Sequence, residues 1–89
     1  MPTISMFFGV IIRMYFFDNK QHHAPHIHAE HQNEQASYLI ETGERISGKI
    51  SPNKEKLIQA WMLIHKEDLL TDWELAVKGE EPFRIDPLR

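Results

Sequence analysis

The sequence predicts an α+β fold: a small antiparallel sheet of four or five strands, then two C-terminal helices packed on one of its faces. Two patterns predict it. Through residues 3–50 apolar side chains recur at alternate positions between turn signals, and through 51–79 they recur at helical spacing. The change falls at Ser51-Pro52, an N-cap residue followed by proline at the first helical position.

Thr3 to Phe17 opens the sheet. Val10, Ile12, Met14 and Phe16 form an apolar face, and Ile11, Arg13, Tyr15 and Phe17 a mixed one. This reads as a long strand from Val10, preceded by a short one, with Gly9 as a bulge or kink. Asp18-Asn19-Lys20 marks a turn. His26 to His31 is the third strand, and the polar Gln32-Asn33-Glu34-Gln35 is its hairpin loop. Ala36 to Thr42 follows, with Tyr38 and Ile40 facing one way and Leu39 the other. Thr42-Gly43-Glu44 is a tight-turn signal. Arg45 to Ile50 closes the hairpin, with Ile46 and Ile50 on one face and Gly48 between them, where something must pack closely.

Leu57, Ile58, Trp61, Ile64 and His65 make one helical stripe, and Leu69, Leu70, Trp73, Ala76 and Val77 another. The first stripe, extended, arrives at Asp68 and Thr71. The second is therefore out of phase with it, which places a break near Lys66-Glu67-Asp68. Gly79 ends the second helix as its C′ residue. Residues 80–89, with two prolines around Phe83 and Ile85, should run extended over the surface. Trp61 and Trp73 read as core residues above Val10, Ile12, Met14 and Phe16. His65, alone on an apolar helical face, reads as a hydrogen-bonded core residue.

With 89 residues the chain has room for one domain, 1–89, and a modest core. It has no cysteine, which excludes disulfides and thiolate metal sites and fits a cytoplasmic protein. The apolar run Met6 to Ile12 is far short of the ~20 residues that span a bilayer. It lacks the flanks of a signal peptide, so no membrane association is expected. A net charge of −3 argues against a free-standing nucleic-acid binder. The six histidines weaken that argument below neutral pH, because ordinary imidazoles take up protons at about pH 6.5.

Five of those histidines lie within residues 21–31. If the chain is extended after Pro25, His26, His28 and Glu30 share one face, and Ile27, Ala29 and His31 the other. The opening Pro2-Thr3-Ile4-Ser5, Phe7-Phe8-Gly9, Ile12 and Met14-Tyr15 resemble domain of unknown function 4160. So do Pro25-His26-Ile27-His28-Ala29-Glu30, Glu41-Thr42-Gly43-Glu44 and Trp73-Glu74-Leu75-Ala76. The resemblance implies a small bacterial protein of no established activity. It also implies a gene beside that of another small protein, an arrangement similar to toxin–antitoxin pairs. The chain departs from the family pattern before Pro25, with Asp18-Asn19 and His23-Ala24 where an Asp-His step and a second proline are common.

Three chemistries suit the histidine strand. His26, His28 and Glu30 could supply metal ligands, with His22, His23 or water as a fourth, for zinc, nickel or copper. A divalent transition metal is the one cofactor the residues admit, and none is expected. Alternatively, His26 and His28 could act as general base and acid in RNA cleavage, with Arg13 stabilising the phosphorane if its strand lies alongside. Ten lysines and arginines against thirteen acids weigh against that, and RNA would have to be reached through a partner. The third reading is association with the small neighbouring-gene protein, through exposed strand edges and the extended tail. It requires no catalyst and tolerates the acidic balance. The balance of the sequence falls there, and against an enzyme.

Overall fold

The computed structural model describes residues 2–15 and 24–89. Five strands form one antiparallel sheet in the order β1 (Thr3–Phe7), β2 (Val10–Arg13), β3 (His26–His31), β4 (Glu34–Leu39) and β5 (Arg45–Lys49). Two helices follow, α1 (Pro52–Ile64) and α2 (Lys66–Val77). The α+β class, the antiparallel sheet and the two C-terminal helices match the sequence reading, and the strand number is five, the upper of the four or five expected. Phe16, Phe17, the Asp18-Asn19-Lys20 turn, His22 and His23 lie outside the described residues.

Two of the turns are tighter than their sequences suggest. Phe8 and Gly9 have φ of 49° and 80° and connect Phe7 directly to Val10. Positive φ at both central residues is the pattern of a type I′ hairpin, whose twist matches its strands. Gly9 is therefore a turn residue and not a bulge. Gln32, at φ 55°, and Asn33 alone connect β3 to β4, so Glu34 and Gln35 are strand residues, not loop. β2 also ends earlier than the alternation predicts, although Met14 N–H still donates to Pro2 O at 3.3 Å.

The bulges of the sheet fall elsewhere. Ile4 is the extra residue between the Thr3–Arg13 and Ser5–Ile12 pairs, and Ile46 between Ser37–Ser47 and Tyr38–Arg45. Because a bulge resets the alternation, Ile46 is exposed while Ile50 is buried, and the expected shared face is lost. Gly48 has the close neighbour its sequence position suggested: a Cβ there would lie 2.2 Å from Gln35 O.

Both helices cover the sheet face that carries Val10, Ile12, Ile27, Ala29, Ala36 and Tyr38, all buried. Ile58, Trp61, Met62, Leu69, Trp73 and Ala76 close the core from above. Trp61 meets Phe7 at 5.3 Å between ring centroids. Tyr38 O–H donates to Glu55 at 2.8 Å, and Arg45 Nε pairs with the same carboxylate oxygen at 3.0 Å. Burial and the Glu55 acceptor hold the Tyr38 hydroxyl far above the ordinary tyrosine range.

The helical stripes are narrower than predicted, since Ile64 is exposed and Leu57 only half-buried. Ser51 occupies the N-cap position, yet its side chain makes no cap bond; its N–H is held by Glu34 at 2.8 Å. The break between helices falls at His65, just before the predicted site. His65 ends α1 and begins α2, half-buried with Nδ1 3.7 Å from Asp68, a joint residue rather than a core one. At the other end, Gly79 (φ 82°) donates to Ala76 O and Glu80 to Leu75 O. That pair of bonds is the Schellman arrangement in which Gly79 is C′.

The tail departs most from expectation. Residues 80–89 have no regular secondary structure, but they are clasped into the fold. Phe83 N–H donates to Asp72 Oδ1 at 3.0 Å, Ile85 N–H to Ile4 O at 2.8 Å, and Trp61 Nε1–H to Asp86 O at 2.7 Å. Ile85 is buried in the core. A tail that holds the β1 edge at Ile4 is not a free strand for a partner. No helix among the described residues is long and apolar enough to cross a membrane.

Candidate functional site

The sheet face opposite the helices carries the chemistry. Strand pairing puts Arg13 directly across from His28, and His28 across from Ser37, so three polar side chains stand in line over β2, β3 and β4. One step along, Ile11 faces Glu30 and Glu30 faces Gln35. Between these rows lies a hollow of about 240 Å³, closed on the β5 side by Ser47 and Gly48.

Within it, Arg13 Nη1 donates to Glu30 Oε1 at 2.6 Å, a charge-assisted bond between side chains that are each about one-third exposed. Ser37 Oγ lies 3.1 Å from His28 Nδ1. The Tyr15 ring stands edge-on to the His28 ring, 4.1 Å between centroids. The hydroxyl below the imidazole and the aromatic ring beside it restrict the orientations His28 can take.

His26 has a different fate. Its ring is 5.0 Å from that of His28, but only 1% of the residue is exposed. Trp73 of α2 packs against it at 5.0 Å, and Nδ1 donates to Ala24 O at 3.0 Å. Of the expected trio His26, His28 and Glu30, only His28 and Glu30 line the hollow, while His26 is buried against α2. Among the described residues, no three of His, Cys, Asp and Glu gather as a metal-holding set. Glu30 is engaged by Arg13 instead. His22 and His23, the candidate fourth ligands, lie outside the described residues.

Tyr15 and Ser37 belong to the site although neither was singled out as a site residue. Tyr15 was legible, since it shares the mixed face of Arg13. Ser37 required the hairpin register: a four-residue loop slides it two positions from His28, whereas the observed two-residue turn sets it opposite.

An antiparallel sheet shielded by helices on one side, with a polar hollow on the other, defines a small α+β domain. The family model for the domain of unknown function DUF4160 matches residues 9–74, most of the chain, and the protein belongs to that family. The match begins at Gly9, after the opening strand. No curated protein and no solved structure matches the chain.

Proposed function

We propose that this protein is an association module, one member of a toxin–antitoxin-like pair formed with a second small protein encoded beside it in a bacterial cytoplasm. The observation that carries the reading is the open sheet face, where Arg13, His28 and Ser37 stand in line around a hollow of about 240 Å³. That volume is below the range of most small-molecule pockets, roughly 300–1,000 Å³, and suits one or two side chains of a partner. The sheet face is favoured over the tail and the β1 edge, because the tail is occupied at Ile4 and Trp61; the other edge strand, β5, is exposed along its length and borders the same face. The acidic balance of the chain supports a protein partner, with RNA reached only through it.

The test is co-purification of the tagged chain with its neighbouring-gene product from the native cell. A stoichiometric complex is expected. Recovery of the chain alone, with the neighbour expressed, would overturn the reading.

A second reading, RNA cleavage centred on His28, draws on Arg13 lying directly across the β2–β3 ladder. It is weakened at His26, whose burial against Trp73 removes the second proton carrier from the hollow. Cleavage of RNA by the pure protein, lost in His28→Ala, would favour it. Metal binding is tested by thermal unfolding with and without zinc, on wild type and on the His26→Ala/His28→Ala double mutant. A dedicated site at ~100 times its Kd would add roughly 2.7 kcal/mol to stability. The association reading expects little or no shift in either protein, and a rise of several degrees confined to wild type would count against it.

A further inference from the structure

We propose that the hollow receives a carboxylate side chain of the partner protein, with Arg13 as its anchor and Glu30 as the internal stand-in that holds Arg13 until the partner arrives. The proposal rests on the association reading and gives the chemistry of the contact.

Arg13 is the only lysine or arginine lining the hollow among the described residues, and Glu30 the only acid. The 2.6 Å bond between them engages one of the five N–H donors that a guanidinium carries. Their charges cancel, in a chain that elsewhere carries more acids than bases. What surrounds them is rich in groups able to donate: the Tyr15, Ser37 and Ser47 hydroxyls and the Gln35 amide. A neutral pair set among donors is a receptive environment for an anion. An incoming carboxylate can take the unused edge of the guanidinium in a two-point contact, which arginine favours through its planar fork.

The same inventory separates a protein carboxylate from an RNA phosphate. Nucleic-acid affinity grows with the number of phosphates neutralised, and a single arginine in a hollow of about 240 Å³ offers one such contact. One acidic side chain from a partner uses that contact fully. Glu30 then acts as competitor as well as placeholder. Its carboxylate gives Arg13 a fixed position, and removing it should leave the anchor more available.

The test is an NMR titration of the isotope-labelled full chain with an N-acetylated, C-amidated tripeptide carrying a central glutamate, beside its glutamine counterpart. The glutamate peptide should move the Arg13 side-chain and Ser37 amide resonances and saturate in the millimolar range, with the glutamine peptide at least tenfold weaker. Arg13→Gln should abolish the response, Arg13→Lys should retain part of it, and Glu30→Gln should strengthen it several-fold. The amide spectrum of each variant reports whether it is folded. Equal responses to the two peptides, or a response unchanged in folded Arg13→Gln, would overturn the proposal. So would an RNA oligonucleotide that binds more tightly than the peptide with a steep salt dependence. If the neighbouring protein co-purifies equally with wild type and Arg13→Gln, the carboxylate proposal fails and association survives. If the peptide binds as described but no neighbour co-purifies, the carboxylate site stands and the association reading falls.

Discussion

On the covered side of the sheet, Ile12, Ala29 and Ala36 sit in line across β2, β3 and β4, all buried. On the open side the line next to it in the same strands is Arg13, His28 and Ser37. One ladder of backbone hydrogen bonds positions both. The apolar line is held by helices above it, and the polar line shares that rigidity through the same strands, with Ser37 buried and the Tyr15 ring against His28. Polar groups built on a packed sheet keep their spacing whether or not a partner is present, which is the preorganisation a recognition surface needs. The two faces should therefore respond to substitution in opposite ways: the covered face through stability, the open face through binding.

The largest expected effect is on the covered side. Ile12→Ala removes buried volume at a fully buried position beside Ala29, where neighbours too small to close the gap leave a cavity. A loss of about 2–5 kcal/mol is expected, measured by urea or guanidinium unfolding. A loss under about 0.5 kcal/mol would mean that the two faces have been assigned the wrong way round.

Much of this division was legible from the chain. Alternation from Val10 to Met14 set the core face, and Pro25-His26-Ile27-His28 set the polar one. What could not be read was where extra residues sit, because a bulge at Ile46 and a two-residue turn at Gln32-Asn33 leave composition unchanged while moving partners. The burial of His26 was hidden for another reason: it depends on Trp73, nearly fifty residues away, reaching the start of β3. The docking of the tail likewise depends on bonds from its backbone N–H and C=O groups to Asp72, Ile4 and Trp61, which no side-chain pattern announces.

Asp72 sharpens the comparison from the opposite direction, since it is a charged group on the covered side. It is fully buried, its Oδ1 accepts the Phe83 N–H, and Oδ2 has no hydrogen-bond partner among the described residues. Burial pushes its carboxyl up to about 6, with Asp68 adding to the rise and the Phe83 bond opposing it. The folded state thus holds this proton more tightly than the unfolded chain does. The stabilisation is complete below the ordinary aspartate range and is lost as pH rises through about 6. Asp72→Asn keeps an acceptor for Phe83 and removes the charge. Its stability relative to wild type should be higher near neutral pH than near pH 4, by up to about 3 kcal/mol, whatever the constant cost of burying the amide N–H groups where Oδ2 has no partner. Unfolding curves at several pH values check this. A stability difference between the two proteins that stays constant from about pH 4 to about pH 7.5 would show that Asp72 does not take up its proton in this range.

The smallest effect is expected on the open face, and it is the most discriminating. Arg13 and Glu30 form the shortest ion pair among the described residues, at 2.6 Å, which invites the view that the pair braces β2 against β3. Physical reasoning points the other way. Both side chains are about one-third exposed, so water competes for the same charges and ordering two long side chains costs entropy, leaving roughly 0–1 kcal/mol. The ladder beneath them is already fixed by the Ile12–Ala29 packing. A double-mutant cycle with Arg13→Gln and Glu30→Gln should therefore give a coupling energy under about 1 kcal/mol that declines further with added salt. A coupling above about 2 kcal/mol that resists salt would make the pair a structural brace. Arg13 would then be committed to Glu30, and the open face would lose its anchor for a partner.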